Sequence, residues 1–246
     1  MAGHSKWKQI KHYKAATDAK RGALFTKLIR EITVAAKFGG GDPGANARLR
    51  TAIDAAKAKS MPKENIERAI KKGTGELEGE SYSELTYEGY GPGGVAIIVE
   101  TLTDNPTRTV AEVRHKFSKL GGNLGATNSV AWMFDRKGQI YVDATGLDED
   151  KAMELALEAG AEDLVHEDEA YIVTTDPAQF HLVRSALEEK GLKIEEAELA
   201  MVPRNTVRVE GADAQAVVRL VEALEDLDDV QKVWANFDVD ESALVG

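Results

Sequence analysis

A chain of 246 residues, 43% hydrophobic and 30% charged, has the make-up of a globular protein with room for two or three domains. It contains no cysteine, which excludes disulfides, thiolate metal ligands and cysteine nucleophiles and suits a reducing cytoplasm. The formal net charge of -11 hides a strong asymmetry: residues 1–75 hold 17 Lys and Arg against 6 Asp and Glu, leaving 14 and 36 for the remainder, so +11 is followed by -22. A front segment of that positive density attracts polyanions, while the acidic remainder repels them. No run approaches the roughly 20 apolar residues that cross a bilayer, and the N-terminus lacks the apolar core of a secretory signal. A cytoplasmic location and no membrane partner are expected.

The first element is a basic arm, "GHSKWKQIKHYKAATDAKRG", in which Lys6, Lys8, Lys11, Lys14, Lys20 and Arg21 are interleaved with Trp7, His12 and Tyr13 against one acid, Asp18. Ammonium and guanidinium groups neutralise phosphates, and flat rings stack on unpaired bases. Trp7 either stacks in this way or anchors the arm on the helices that follow.

Those helices are read from spacing. "ALFTKLIREITVAAKF" puts Leu24, Phe25, Leu28, Ile29, Ile32 and Ala36 on one side of a helix, with Lys27, Arg30 and Lys37 opposite. "GGGDPG" ends it. "NARLRTAIDAAKAKS", from near Asn46, buries Leu49, Ala52, Ile53 and Ala56 and leaves Arg48, Arg50, Lys57 and Lys59 to face water or a ligand. "MPKENIERAIKKG" forms a third helix, with Pro62 in its first turn, Ile66, Ala69 and Ile70 as its stripe, Lys71 and Lys72 in its last turn and Gly73 as its C-terminal cap.

After the linker "GTGELEGE" the texture changes to strands. "ELTYEGY" and "VAIIVE" flank a Gly-Pro-Gly-Gly turn, "NPTRTVAEVRHKFSKLGG" is helical with Val110, Val113, Phe117 and Leu120 inward, and "SVAWMFD" is expected to return as a strand. From Gln139 the order β-α-β-β-α-β is that of a ferredoxin-like sandwich. The tail adds strand, helix and strand, too little to stand alone. The expected architecture is therefore α+β: a three-helix domain (1–75), a discontinuous domain (80–135 plus 205–240) and an inserted ferredoxin-like domain (136–204).

No motif signals an enzyme. "GYGPGG" lacks the Lys-Ser/Thr of a Walker loop and is followed by a strand, so it reads as a hairpin turn. "GGNLGATNSV" reads as a connector. His4, His12, His115, His166 and His181 are too scattered for metal-ligand spacing, and no cofactor is expected.

The stretches "MAGHSKW", "DAKRGALFTKLIREI", "GGGDPGANARLR", "AIDAAKAKSMPKENIERAIKKG" and "YEGYGPGGVAIIVETLTDNPTRTVAEVRHKFSKLGGNLG" together resemble the YebC/PmpR family, in order and along the whole chain. Asn128 stands where that family usually has Gly, a residue type that tolerates left-handed backbone angles. The resemblance implies a three-domain cytoplasmic regulator of transcription that binds DNA. Other relatives, a mitochondrial branch among them, look like translation factors acting on mRNA or the ribosome. It also points to Gly3, His4, Ser5, Lys6, Trp7, Asp18, Ala19, Lys20 and Arg21 as the part used on nucleic acid.

Residues and resemblance together put nucleic-acid contacts at the basic and aromatic arm residues and at Lys27, Arg30, Arg48, Arg50, Lys71 and Lys72. The acidic domains either limit promiscuous binding or meet a protein partner. A DNA-binding regulator is the first expectation, and a translation factor bound to RNA or the ribosome is the alternative. The least favoured is a sensor whose ferredoxin-like domain holds a small molecule.

Overall fold

The computed structural model describes residues 18–167 and 169–239, which form an α+β protein with two four-stranded antiparallel sheets and one short parallel pair. Two compact units emerge, one within Met1–Met133 and Asn205–Gly246, the other Phe134–Arg204.

The first unit opens with α1 (Asp18–Gly39), α2 (Ala47–Ala58) and α3 (Lys63–Thr74). Their core is Ile32, Ala35 and Ala36 of α1, Leu49, Ala52, Ile53 and Ala56 of α2, and Ile66 and Ala69 of α3. It packs on the second half of α1, so Leu24, expected inside, remains 36% exposed in the opening turns. Asn46 caps α2 by accepting the Leu49 N–H at 3.0 Å, and its own amide donates to the Ala35 and Gly40 carbonyls at 2.8 Å, which ties the preceding loop to α1. Gly73 is not the cap of α3. Gly75, at φ 83°, takes that left-handed position. Gly73 instead permits close approach, because a Cβ there would run into the Thr33 carbonyl and lie 2.7 Å from Ala36 Cβ.

The same unit continues with β1 (Ser83–Tyr90), β2 (Ala96–Thr103), α4 (Pro106–Lys119) and β3 (Asn123–Leu124). A turn at Pro92–Gly94 joins β1 to β2, with Gly93 and Gly94 at φ 69° and 77°. The second unit is then β4 (Phe134–Asp143), α5 (Glu149–Glu158), β5 (Asp163–Glu167), β6 (Ala170–Thr175), α6 (Phe180–Glu189) and β7 (Ile194–Pro203). The chain returns to the first unit for β8 (Val207–Arg208), α7 (Gly211–Glu225), β9 (Val230–Ala235) and β10 (Phe237–Asp238).

In the first unit the sheet order is β3-β1-β2-β9, all antiparallel, and β8 pairs with β10 in parallel. Helices α4 and α7 cover one face through Val113, Phe117, Val217, Leu220, Val221 and Leu224, against Val95, Ile97, Val99 and Val233. The second unit has the order β5-β6-β4-β7, again antiparallel, with Phe180, Val183 and Leu187 of α6 and Ala152 and Ala156 of α5 packed on Ile140, Val142, Tyr171 and Val173. This is the ferredoxin-like arrangement.

One expected strand changes place. "SVAWMFD" does not form a strand of the first unit: Ala131–Met133 is a 3-10 turn, and Phe134 begins the ten-residue β4 of the second. The apolar run misleads because its first half is held by backbone N–H bonds to a side chain rather than to a neighbouring strand.

Candidate nucleic-acid interface

Of the residues singled out for nucleic acid, Lys6, Trp7, Lys8, Lys11, His12 and Lys14 lie outside the described residues, and Lys20 and Arg21 fall within the first turn of α1. The rest can be placed, and they divide into two groups.

The first group faces inward. Spacing puts Lys27 and Arg30 on the solvent side of α1, yet that side lies on the acidic α+β domain. Lys27 Nζ donates to the Glu225 carbonyl at 2.5 Å, at the C-terminus of α7, where unpaired carbonyls and the helix dipole favour a cation. Arg30 Nη1 donates to the Asp228 carbonyl at 2.6 Å and to Asp229 Oδ1 at 2.9 Å, and its guanidinium lies 5.4 Å from the centre of the Tyr82 ring.

Asp229, 1% exposed, is the centre of this junction. It also accepts from Arg108 Nη2 at 2.7 Å, from Thr109 Oγ1 at 2.7 Å and from Thr103 Oγ1 at 3.2 Å. Burial pushes its carboxyl up, but the hydrogen bonds from Arg108 and Thr109 and the charges of Arg108 and Arg30 outweigh that and hold it below its ordinary value. The carboxylate is therefore ionised, buried and fully partnered, and Arg30 supplies one of its two cations.

Arg48 and Arg50 are likewise engaged. Arg48 Nε donates to Glu31 Oε1 at 2.7 Å and its Nη1 to Glu84 Oε1 at 2.5 Å, linking α2, α1 and β1. Arg50 Nη1 donates to the Pro43 carbonyl at 2.9 Å and braces the loop before α2. Lys37 Nζ donates to Ser81 Oγ, just after the linker, at 2.8 Å.

The second group faces outward. Lys57, Lys59, Arg68, Lys71 and Lys72 are exposed and have no ion-pair partner among the described residues. Arg68, Lys71 and Lys72 stand three and four positions apart, hence on one side of the 12-residue α3, whose length is about 18 Å. Lys71 and Lys72 occupy its last turn, where the dipole favours cations. Sequence reasoning passes over Arg68, although its spacing from Lys71 and Lys72 carries the signal. The arrangement supplies exposed positive charge, which can neutralise phosphates. Among the described residues no group of three or more His, Asp or Glu is placed to hold a metal ion, and no helix is long and apolar enough to cross a membrane.

Comparison with known proteins covers nearly the whole chain. The family profile of the TACO1/YebC protein N-terminal domain matches residues 5–76, and that of the TACO1/YebC second and third domain matches 82–237. A probable transcriptional regulatory protein of Gemmatimonas aurantiaca is 64% identical over 244 residues, covering 99% of each chain. One of Trichlorobacter lovleyi is 60% identical, covering 97% of this chain and 96% of its own. The crystal structure of a conserved hypothetical protein from Aquifex aeolicus superposes with a TM-score of 0.84 at 53% identity, covering 91% of this chain and 93% of that one.

Proposed function

We propose that this chain, which belongs to the TACO1/YebC family, regulates gene expression by binding nucleic acid through its helical domain. The observation that carries the proposal is the outward group of cations on α2 and α3. They stand in a segment of charge +11 attached to a remainder of -22, and they have no internal partner among the described residues. Their charge is available to phosphates, whose condensed counterions are released on binding.

The name carried by close relatives, transcriptional regulatory protein, favours DNA as the polymer and transcription as the step regulated. A second reading has its own support. The outward residues of α3 are Lys63, Glu64, Glu67, Arg68, Lys71, Lys72 and Thr74, and its one amide side chain, Asn65, is half-buried. Reading base edges in a major groove calls for Asn, Gln or Arg held in fixed bidentate geometry, whereas cations of this kind grip the backbone without sequence information. That favours a translation factor on RNA or the ribosome. In either case the protein acts in the cytoplasm and not as an enzyme. The helical domain binds the polymer, and the two acidic domains restrain promiscuous binding or meet a protein partner.

The test is to measure binding of a promoter duplex, a single-stranded RNA of equal length and ribosomal particles by the full chain across a salt series, alongside Lys71→Gln/Lys72→Gln. Saturable, salt-sensitive binding that the double variant weakens supports the proposal, and the preferred ligand selects between the readings. Absence of binding to all three at low ionic strength would overturn it.

A further inference from the structure

Two of the three tryptophans lie among the described residues, and their surroundings differ sharply. Trp234 in β9 is 2% exposed, whereas Trp132, in the 3-10 turn Ala131–Met133, is 63% exposed. An exposed indole contributes little to folding, and here the backbone around it is held with unusual care.

The hold begins at Glu88 in β1, which is 5% exposed. Its carboxylate accepts three backbone N–H groups from the loop before β4: Asn128 at 2.7 Å, Val130 at 2.8 Å and Ala131 at 2.7 Å. Such charge-assisted bonds are about twice as strong as neutral ones. They fix a loop in which Asn128 adopts φ 65°, the left-handed angle its residue type tolerates. The Ser129 carbonyl then accepts from two aromatic residues, Tyr90 Oη at 3.1 Å and Trp132 Nε1 at 3.1 Å. The second of these bonds sets the orientation of the indole and uses its one polar donor. What remains for a partner is a fixed, flat, apolar face.

We infer that Trp132 is a stacking platform for an unpaired nucleobase, a second nucleic-acid contact outside the helical domain; the inference rests on the nucleic-acid reading proposed above. Three features favour a base over a protein surface. First, the exposed residues that precede Trp132 in its loop are Ala126, Thr127 and Asn128, small or polar, so the loop itself offers no second large apolar side chain. A tryptophan offers about 150–250 Å², well short of the roughly 800 Å² per partner of a specific protein interface. Second, Thr127 and Asn128 carry a hydroxyl and an amide suited to a base edge. Third, the acidic remainder of the chain has a gap at this point. Between Glu112 and Asp135 the sequence contains Arg114, Lys116 and Lys119 and no Asp or Glu. The Glu88 charge, buried under three N–H donors, adds nothing repulsive to the loop surface.

The experiment uses the full chain with a fluorescent single-stranded RNA, the single-stranded DNA of the same sequence and its duplex, and compares wild type with Trp132→Ala and Trp132→Tyr. The alanine variant is expected to lose about 5- to 150-fold in single-strand affinity, the range of one stacked base, with the salt slope unchanged because stacking releases no counterion. Duplex affinity should not move. The tyrosine variant, which keeps a ring, should restore most of the loss, and the two single strands report whether the site prefers ribose. Should Trp132→Ala unfold, Trp132→Leu, which keeps apolar bulk without a flat ring, is compared with Trp132→Tyr and carries the test. Single-strand affinity that Trp132→Ala, or in its place Trp132→Leu, leaves at the wild-type value overturns this inference alone. Wild type that binds no nucleic acid overturns it together with the reading beneath it.

Discussion

Helices α1 and α3 are both studded with Lys and Arg, but their cations have opposite uses. On α1, Lys27 and Arg30 reach the Glu225 carbonyl and Asp229 and fasten the helical domain to the acidic one. On α3, Arg68, Lys71 and Lys72 project from the last two turns without an ion-pair partner among the described residues. A single positive segment thus contains an internal adhesive and an external surface. Charge density along the chain is common to both; only the folded position of the nearest carboxylate or carbonyl separates them.

The sharpest way to break the comparison is to remove the acceptor at its centre. Asp229→Ala leaves Arg30, Arg108, Thr103 and Thr109 without their shared carboxylate, and one-sided loss of a buried ion pair costs about 3–5 kcal/mol. Urea unfolding of the full chain should register that loss, while Lys71→Gln/Lys72→Gln stays within about 0.5 kcal/mol of wild type, as substitutions at exposed sites do. Acid should act on the same group. The folded-state pKa of Asp229 is depressed, so its carboxylate stabilises the fold fully above about pH 5, and the contribution drains away as pH falls below the ordinary carboxylate value of about 3.9 toward the folded value. Stability against pH should therefore fall on the acid side, and Asp229→Asn should flatten that limb by the share of one proton.

How far this division was legible in the sequence depends on the range of the signal. Leu49, Ala52, Ile53 and Ala56 announce the buried stripe of α2 because helical periodicity is local. The β-α-β-β-α-β order of the second unit is legible for the same reason, and its sheet order follows from it. Arg30 could not be assigned: its partner is 199 positions away, and no spacing rule links them. Gly73 and Gly75 are both plausible caps by composition. The close approach of α3 to Thr33 and Ala36, a tertiary fact, decides that Gly73 is needed for packing and Gly75 for the left-handed turn. The loop at Ser129–Met133 misled for a related reason, since Glu88 takes the backbone N–H groups that a strand neighbour would have used, from about forty positions upstream. Among the nucleic-acid candidates, the sequence singled out cations as a class but could not sort those held by the protein, such as Arg30, from those without an ion-pair partner among the described residues, such as Lys71.

The remaining tests concern affinity and are smaller. Each phosphate that the protein ceases to neutralise lowers the slope of log K against log salt by about 0.9 on duplex DNA or about 0.7 on a single strand. Lys71→Gln/Lys72→Gln should therefore reduce the slope by nearly two units on a duplex, measured by fluorescence anisotropy between about 50 and 200 mM salt, with no change in unfolding. Lys27→Gln should do the reverse. Losing the bond to the α7 carbonyl costs about 0.5–1.5 kcal/mol, visible as a small shift in the urea midpoint, while the salt slope keeps its wild-type value because Lys27 releases no counterion when nucleic acid binds. A one-unit fall in slope for Lys27→Gln would mean that its ammonium leaves the Glu225 carbonyl for a phosphate in the complex. Binding would then loosen the junction between the helical and acidic domains, and the two groups of cations would be one surface seen in two states.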